Sequence, residues 1–188
     1  WIYSNEIEKL VVNNYTDGGI IEADEERCDG YDPNEIVNVT SPSGGIGGAT
    51  EYIWEFDNGS GWTVIAGATA DSYDPGAITV STTYRRGSRR APCTDWIYSN
   101  EVEKLVVNNY TDGGVIEADE ERCDGYDPDA ITNVTSPSGG IGGATEYIWE
   151  FDNGSGWTVI GGATADSYDP GAITVSTTYR RGSRRAPC

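Results

Sequence analysis

The chain contains no histidine and no methionine, only two phenylalanines, and only two lysines, Lys9 and Lys104. Without histidine it lacks the commonest general base, the commonest metal ligand and the usual pH switch. Its four cysteines form no C-x-x-C pair, so a zinc cluster has no ligand set. No serine sits in a nucleophile elbow, and Gly44-Gly45-Ile46-Gly47-Gly48 lacks the lysine and helix of a phosphate loop. These gaps weaken hydrolase, dehydrogenase and nucleotide-binding readings together. No apolar run approaches the roughly 18 residues a membrane span needs. Basic residues are scarce, 12 against 31 acidic, and the net charge is −19. Such a chain repels nucleic acid and anionic membrane, both of which bind proteins through Lys and Arg. With no Met at its head, the chain reads as an excerpt of a longer protein.

Self-similarity dominates what is present. Trp1–Cys93 recurs as Trp96–Cys188 at an offset of 95, with Thr94-Asp95 between the copies. The copies differ only at Ile7/Val102, Ile20/Val115, Asn34/Asp129, Glu35/Ala130, Val37/Thr132 and Ala66/Gly161. A period of 95 is too long for a solenoid unit of about 20–50 residues and suits a bead that folds by itself.

Within each copy the pattern is β. Segments rich in Val, Ile, Thr, Tyr and Trp alternate with turn-forming clusters. Strands are expected at Ser4–Val12, Gly19–Glu25, Ile36–Ser41, Thr50–Asp57, Trp62–Ala66, Asp71–Asp74 and Ile78–Arg90. Asn58-Gly59 between the fourth and fifth is a hairpin signal. With 25 Gly and 8 Pro, no helix of useful length survives. About seven strands in a bead of this size describe an all-β sandwich of immunoglobulin-like type.

Certain residues carry a more specific likeness: Tyr52-x-Trp54, Asn58-Gly59-x-x-Trp62-x-x-Ile65-x-Gly67-Ala68-Thr69-x-x-x-Tyr73, Thr83-Tyr84-Arg85-Arg86, Cys93, and Ser99-Asn100-x-Val102. This string resembles the immunoglobulin-like tandem repeats of very large secreted bacterial surface adhesins, including those of gliding bacteria that use type IX secretion. The resemblance implies that the Ser-Asn-x-Val segment is the last strand of its bead. Residues 1–17 would then be the final strand of a preceding repeat, 18–112 a complete repeat, and 113–188 a repeat lacking its final strand. Disulfides within beads, Cys28–Cys93 and Cys123–Cys188, follow from that frame, with a link between neighbours such as Cys93–Cys123 as the rival. The resemblance also implies an extracellular, cell-surface location.

Other side chains carry weaker signals. Asp24, Glu25, Asp29 and Asp32, with Asp17 and Asp112 at the linkers, could offer oxygens to calcium. Their spacing matches no EF-hand loop, and a solvated acidic face is the plainer reading. Trp62 and Trp157 could stack on sugar rings, or pack beside the hairpin. Arg85, Arg86, Arg89 and Arg90 alternate faces along one strand, so cross-strand pairing with carboxylates is their expected role. Lys9 and Lys104 read as edge-strand lysines that discourage aggregation.

Together these features lead us to expect a structural segment of a surface fibre or adhesin stalk, with no enzymatic activity. Its partners would be neighbouring repeats, joined head to tail by strand complementation in a filament. The alternative is an array of carbohydrate-binding modules recognising a surface glycan.

Overall fold

The β-branched and aromatic segments form strands, and the Gly-rich segments between them form turns. The computed structural model describes residues 1–188, with thirteen strands and no helix. The fold is all-β. The chain divides into two compact units, one comprising Trp1–Glu25 and Gly30–Leu105, the other Glu26–Asp29 and Val106–Cys188.

The first unit is built from β1 (Ile20–Ile21), β2 (Glu25–Cys28), β3 (Asn38–Thr40), β4 (Thr50–Asp57), β5 (Thr63–Val64), β6 (Thr82–Arg90), β7 (Ile97–Tyr98) and β8 (Val102–Val107). The last residues of β2 and β8 count with the second unit. One sheet runs in the order β2-β8-β6-β4-β5, with β7 also paired to β6. Its spine is the antiparallel β4–β6 pair, in unbroken register from Thr50↔Arg90 to Asp57↔Thr83. The smaller layer consists of the β1–β3 pair and the single bridges Tyr31↔Ile78 and Ile36↔Tyr73. Ile21, Ile36, Trp54, Tyr84 and Val102 form the core, flanked by Phe56, Ile65, Ala68 and Tyr73. The Trp54 indole N–H donates to the Ala70 carbonyl at 2.9 Å, which satisfies the one polar atom of a fully buried ring.

The hairpin forms where Asn58-Gly59 signalled it. Asp57 Oδ1 accepts from the Gly59 and Gly61 amides at 2.8 and 2.9 Å. Both glycines sit at φ near +95°, a region costly for other residues. Other boundaries differ from expectation. The expected strand Gly19–Glu25 is two short strands on different sheets. Asp71–Asp74 contributes only the Tyr73 bridge, and the Arg strand begins at Thr82 rather than Ile78, because Ile78 bridges Tyr31 instead. The 1–17 block is also divided. Residues 1–12 form no strand and lie exposed except for half-buried Val12. Asn13 and Asp17 instead bridge Ile46 and Ser43 in the first unit, where Tyr15 is buried.

The second unit repeats this plan with β9 (Val115–Ile116), β10 (Asn133–Thr135), β11 (Thr145–Asp152), β12 (Thr158–Val159) and β13 (Thr178–Arg185). β11 and β13 reproduce the β4–β6 register residue for residue. The sheet has three strands, β12-β11-β13. Trp149 is as buried as Trp54, but Ile116, Ile131 and Tyr179 are only half-buried, whereas Ile21, Ile36 and Tyr84 are 1%, 0% and 4% exposed.

Near-identical sequence in two settings gives a matched test. Ile21→Ala should cost about 2–5 kcal/mol, and Ile116→Ala less than about half of that, because less area leaves water at the second site. Hydrogen exchange read separately over 82–90 and 178–185 measures both effects.

Candidate functional site

The first unit is closed by residues from the second copy of the repeat. β8 lies between β2 and β6, pairing Tyr84↔Val102, Thr83↔Glu103 and Thr82↔Lys104. Val102 and Val106 are fully buried, and between them lies Lys104, 2% exposed, with its ammonium 3.2 Å from Glu25 Oε2. Lys104 is therefore a buried ion-pair residue of an interior strand. The edge-lysine expectation fails because β2 covers the strand, a pairing no local pattern announces.

Polar contacts fix the register. Asn100 holds Ile21 from both sides: its Oδ1 accepts from the Ile21 amide at 2.8 Å and its Nδ2 donates to the Ile21 carbonyl at 3.2 Å. The Glu103 amide donates to Asp24 Oδ1, and the Ser99 amide to the Arg86 carbonyl. Tyr98 donates its phenol to Glu55 Oε1 at 3.1 Å, and burial together with that carboxylate pushes the Tyr98 pKa up. At Gly18 a Cβ would stand 2.1 Å from the Tyr98 carbonyl oxygen, so only glycine admits the segment.

In the second unit the equivalent face is an open cleft. A cavity of about 580 Å³ is lined by Ile116, Tyr126, Ile131, Ile173, Thr178 and Tyr179. Their counterparts Ile21, Ile36, Thr83 and Tyr84 surround or pair with β8. A second cavity of about 700 Å³ lies along Tyr147, Ile148, Gly182 and Ser183. There Gly182 and Ser183 correspond to Gly87 and Ser88, the residues β7 pairs with in the first unit. At Gly113, the counterpart of Gly18, a Cβ would point into open space.

The cysteines depart from the expected pairing. Cys28 is bonded to Cys188, while Cys93 and Cys123 are free. The within-bead pairs Cys28–Cys93 and Cys123–Cys188 are thus corrected. Cys28 ends β2, whose residues from Glu26 on count, with Asp29 after them, with the second unit, and the Asp29 amide donates to the Val107 carbonyl at 2.7 Å. That brings Cys28 to the C-terminal end of the following copy, with a Cα–Cα distance of 5.0 Å to Cys188.

The arginines behave largely as the strand pattern implied. Arg85 and Arg89 pair with Glu55 and Glu51 directly opposite on β4, at 2.7 and 2.8 Å. Arg86, on the other face, is fully buried and has no carboxylate partner. Its Nη atoms donate to Asn38 Oδ1, the Asp71 carbonyl and the Gly18 carbonyl, and burial lowers its pKa. Arg181 repeats all three bonds in the second unit.

The remaining candidates do not gather into a site. The Arg85 and Arg180 guanidinium groups each cover one face of Trp62 and Trp157 at 4.0 Å, leaving at most the other face for a sugar. Asp24 and Glu25 are engaged with β8 as described. Asp17 and Asp112 each accept from the amide two residues on, at 2.7 Å, and Asp29 Oδ1 lies 3.5 Å from Asn108 Nδ2. Asp32 is exposed. No three Asp, Glu, Cys or His side chains converge as a metal site. No helix is long and apolar enough to cross a membrane.

Residues 17–108 and 112–188 each match a family model described as a domain of unknown function. No curated protein and no solved structure matches the chain.

Non-reducing peptide mapping is expected to recover Cys28 joined to Cys188, with both other thiols alkylated by iodoacetamide, exposed Cys123 faster than half-buried Cys93. Closing a loop of 160 residues contributes about 5 kcal/mol in the chain-entropy description, so Cys28→Ser should lower the melting temperature of the second unit. Arg86→Leu should also destabilise the first unit. It strands the buried Gly18 carbonyl at about 1–3 kcal/mol and removes the donor from the part-buried Asn38 and Asp71 acceptors, and Arg86→Lys cannot span all three.

Proposed function

The chain belongs to the DUF8696 family, a domain of unknown function that it carries twice, and we propose that it serves as a structural tandem-repeat segment of an extracellular surface fibre or adhesin stalk. One observation carries the reading. The strand that completes the first sandwich, Val102–Val107, belongs to the second copy of the repeat, so successive copies are built to be incomplete alone and whole in series. The chain leaves the first unit through β8. A load passing along it must therefore shear a strand flanked on both sides, with its Lys104–Glu25 ion pair buried.

The Cys28–Cys188 bond joins residues carried by successive copies and supports the same reading. Disulfides persist in oxidising compartments, which fits secretion to the cell surface. The resemblance to gliding-bacterium adhesin repeats supplies the adhesive and motile context. The proposed role is mechanical and includes no reaction.

Antibody raised against the folded chain should decorate filaments projecting from intact cells, and brief surface proteolysis should remove the label. Label confined to the cell interior refutes the proposal. At the molecular level, Val102→Asp should cost about 4 kcal/mol or more by burying a charge, whereas Ile7→Asp, the matching position one copy earlier, should stay within about 0.5 kcal/mol. Equal effects at the two positions would remove the strand-sharing argument.

A further inference from the structure

We propose that Asn58 and Asn153 are sites of spontaneous succinimide chemistry, which converts each hairpin loop to aspartate and isoaspartate and loosens the strand after it, and that Asp57 and Asp152 hold the reaction back. The inference is independent of the repeat-fibre reading. It uses only the β4–β5 and β11–β12 hairpins, each of which lies inside one copy.

Three requirements of the chemistry meet at these loops. The first is a carboxamide free to react. Asn58 and Asn153 are exposed, and neither side chain hydrogen-bonds within the molecule. Other asparagines are held at both ends of the amide. Asn38 accepts from Arg86 and donates to Ser41. Asn14 accepts from the Arg90 amide and donates to the Asp95 carbonyl, and Asn100 grips Ile21 as described. The second requirement is an unshielded nucleophile. The ring closes when the backbone nitrogen of the next residue attacks the carboxamide carbon, and a side chain on that residue blocks the approach. Asn58 and Asn153 are the only asparagines followed by glycine. A Cβ at Gly59 or Gly154 would point into open space, so the approach is clear. The third is a backbone able to adjust. Residues 58–61 are exposed, and they lead into a strand of two residues held only by Glu55↔Val64 and Phe56↔Thr63.

The step needs no oxidant and no cofactor. The Gly59 amide loses its proton to a solvent base, its nitrogen bonds to Asn58 Cγ, and the bond from Cγ to Nδ2 breaks to release ammonia. Water then opens the ring. Opening at Cγ gives aspartate, and opening at the main-chain carbonyl carbon gives isoaspartate, whose main chain runs through Cβ and Cγ. One carboxamide and one water become one carboxylic acid and one ammonia.

The proton that must leave is the one the preceding aspartate holds. The Gly59 amide donates to Asp57 Oδ1 at 2.8 Å, and the Gly154 amide to Asp152 Oδ1 at 2.8 Å. A second amide, of Gly61 or Gly156, fixes the same oxygen at 2.9 Å. A carboxylate bonded there strengthens the hold on the proton and opposes a second negative charge on the nitrogen. Asp57 and Asp152 are therefore positioning residues that slow ring closure. Isoaspartate adds one atom to the backbone of the loop and a new charge beside Asp57. Two contacts depend on the length of that loop: the Ile65 amide on the Trp54 carbonyl at 2.8 Å, and the Arg85 guanidinium over the Trp62 ring at 4.0 Å. β5 ends its sheet with β4 as its one neighbour, so no other strand restores the register.

The test keeps the whole folded chain at mildly alkaline pH and maps its peptides at intervals, with fragmentation that separates isoaspartate from aspartate. A protein-L-isoaspartate methyltransferase with labelled S-adenosylmethionine counts the isoaspartate independently. Both products should accumulate at Asn58 and Asn153 while Asn14, Asn38 and Asn100 stay intact. The second copy serves as an internal clock. Asp57→Ser should speed conversion at Asn58 about tenfold, the weight of one hydrogen bond to a carboxylate, and leave Asn153 in the same molecule unchanged. Asn58→Gln should confine the products to Asn153. Converted chains should exchange the Ile65 amide faster than unconverted ones, with protection over Thr82–Arg90 retained. Absence of product at Asn58 and Asn153, equal conversion at Asn14 or Asn38, a ratio of Asn58 to Asn153 conversion unmoved by Asp57→Ser, or an unmoved Ile65 exchange rate overturns the proposal.

Discussion

A single strand position governs this protein. In an antiparallel sandwich the residues beside an unfilled strand position lose both backbone partners and apolar cover. Where Val102–Val107 fills that position, Ile21, Ile36 and Tyr84 close around Val102, and Arg86 and Ser88 lose all contact with water. Where nothing fills it, the matching Ile131, Tyr179, Arg181 and Ser183 are half-open to solvent although their letters are the same. The difference between the units is thus not a difference of composition. It follows from which part of the chain supplies one strand.

The polar devices fit the same constraint. A strand from another repeat must enter in one register, since a slip by one residue would turn Val102 outward and Glu103 inward. Apolar packing alone discriminates poorly among registers in a run such as Leu105-Val106-Val107. The two-sided grip of Asn100 on Ile21, the Glu103 amide on Asp24, and the buried Lys104–Glu25 pair all fail if the strand slips. A buried ion pair is weak evidence of stability but can specify an arrangement, which is the use that matters here. Buried Arg86 plays a related part, tying β3 at Asn38 and the loops at Gly18 and Asp71 to the central strand without any carboxylate.

Much of the fold was legible because its causes are local. β4 lies at Thr50–Asp57 as its alternation and the Asn58-Gly59 turn required, and the opposition of Arg85 and Arg89 to Glu55 and Glu51 follows from strand periodicity once β4 and β6 pair. Short elements were misjudged where a single bridge replaces a ladder, as at Tyr73 and Ile78. The cysteine pairing was misread for a different reason. Any frame that treats each bead as closed assigns its two cysteines to one another. The bond instead follows the shared strand into the next copy, and a spacing of 65 residues or of 160 looks equally plausible in the letters.

Sequence by itself determined that this chain is a twofold β repeat, acidic, without helix or histidine chemistry, with its arginines on alternating faces of one strand. Those properties depend on composition and on neighbours within a few residues. Tertiary structure alone decided that β2 covers β8, so that Lys104 is buried rather than at an edge, that Arg86 needs carbonyls and not carboxylates, and that Cys28 finds Cys188. Each of these depends on contacts between residues 15 to 160 positions apart. Two nearly identical copies offer every such contact twice, and only packing in three dimensions selects between the two.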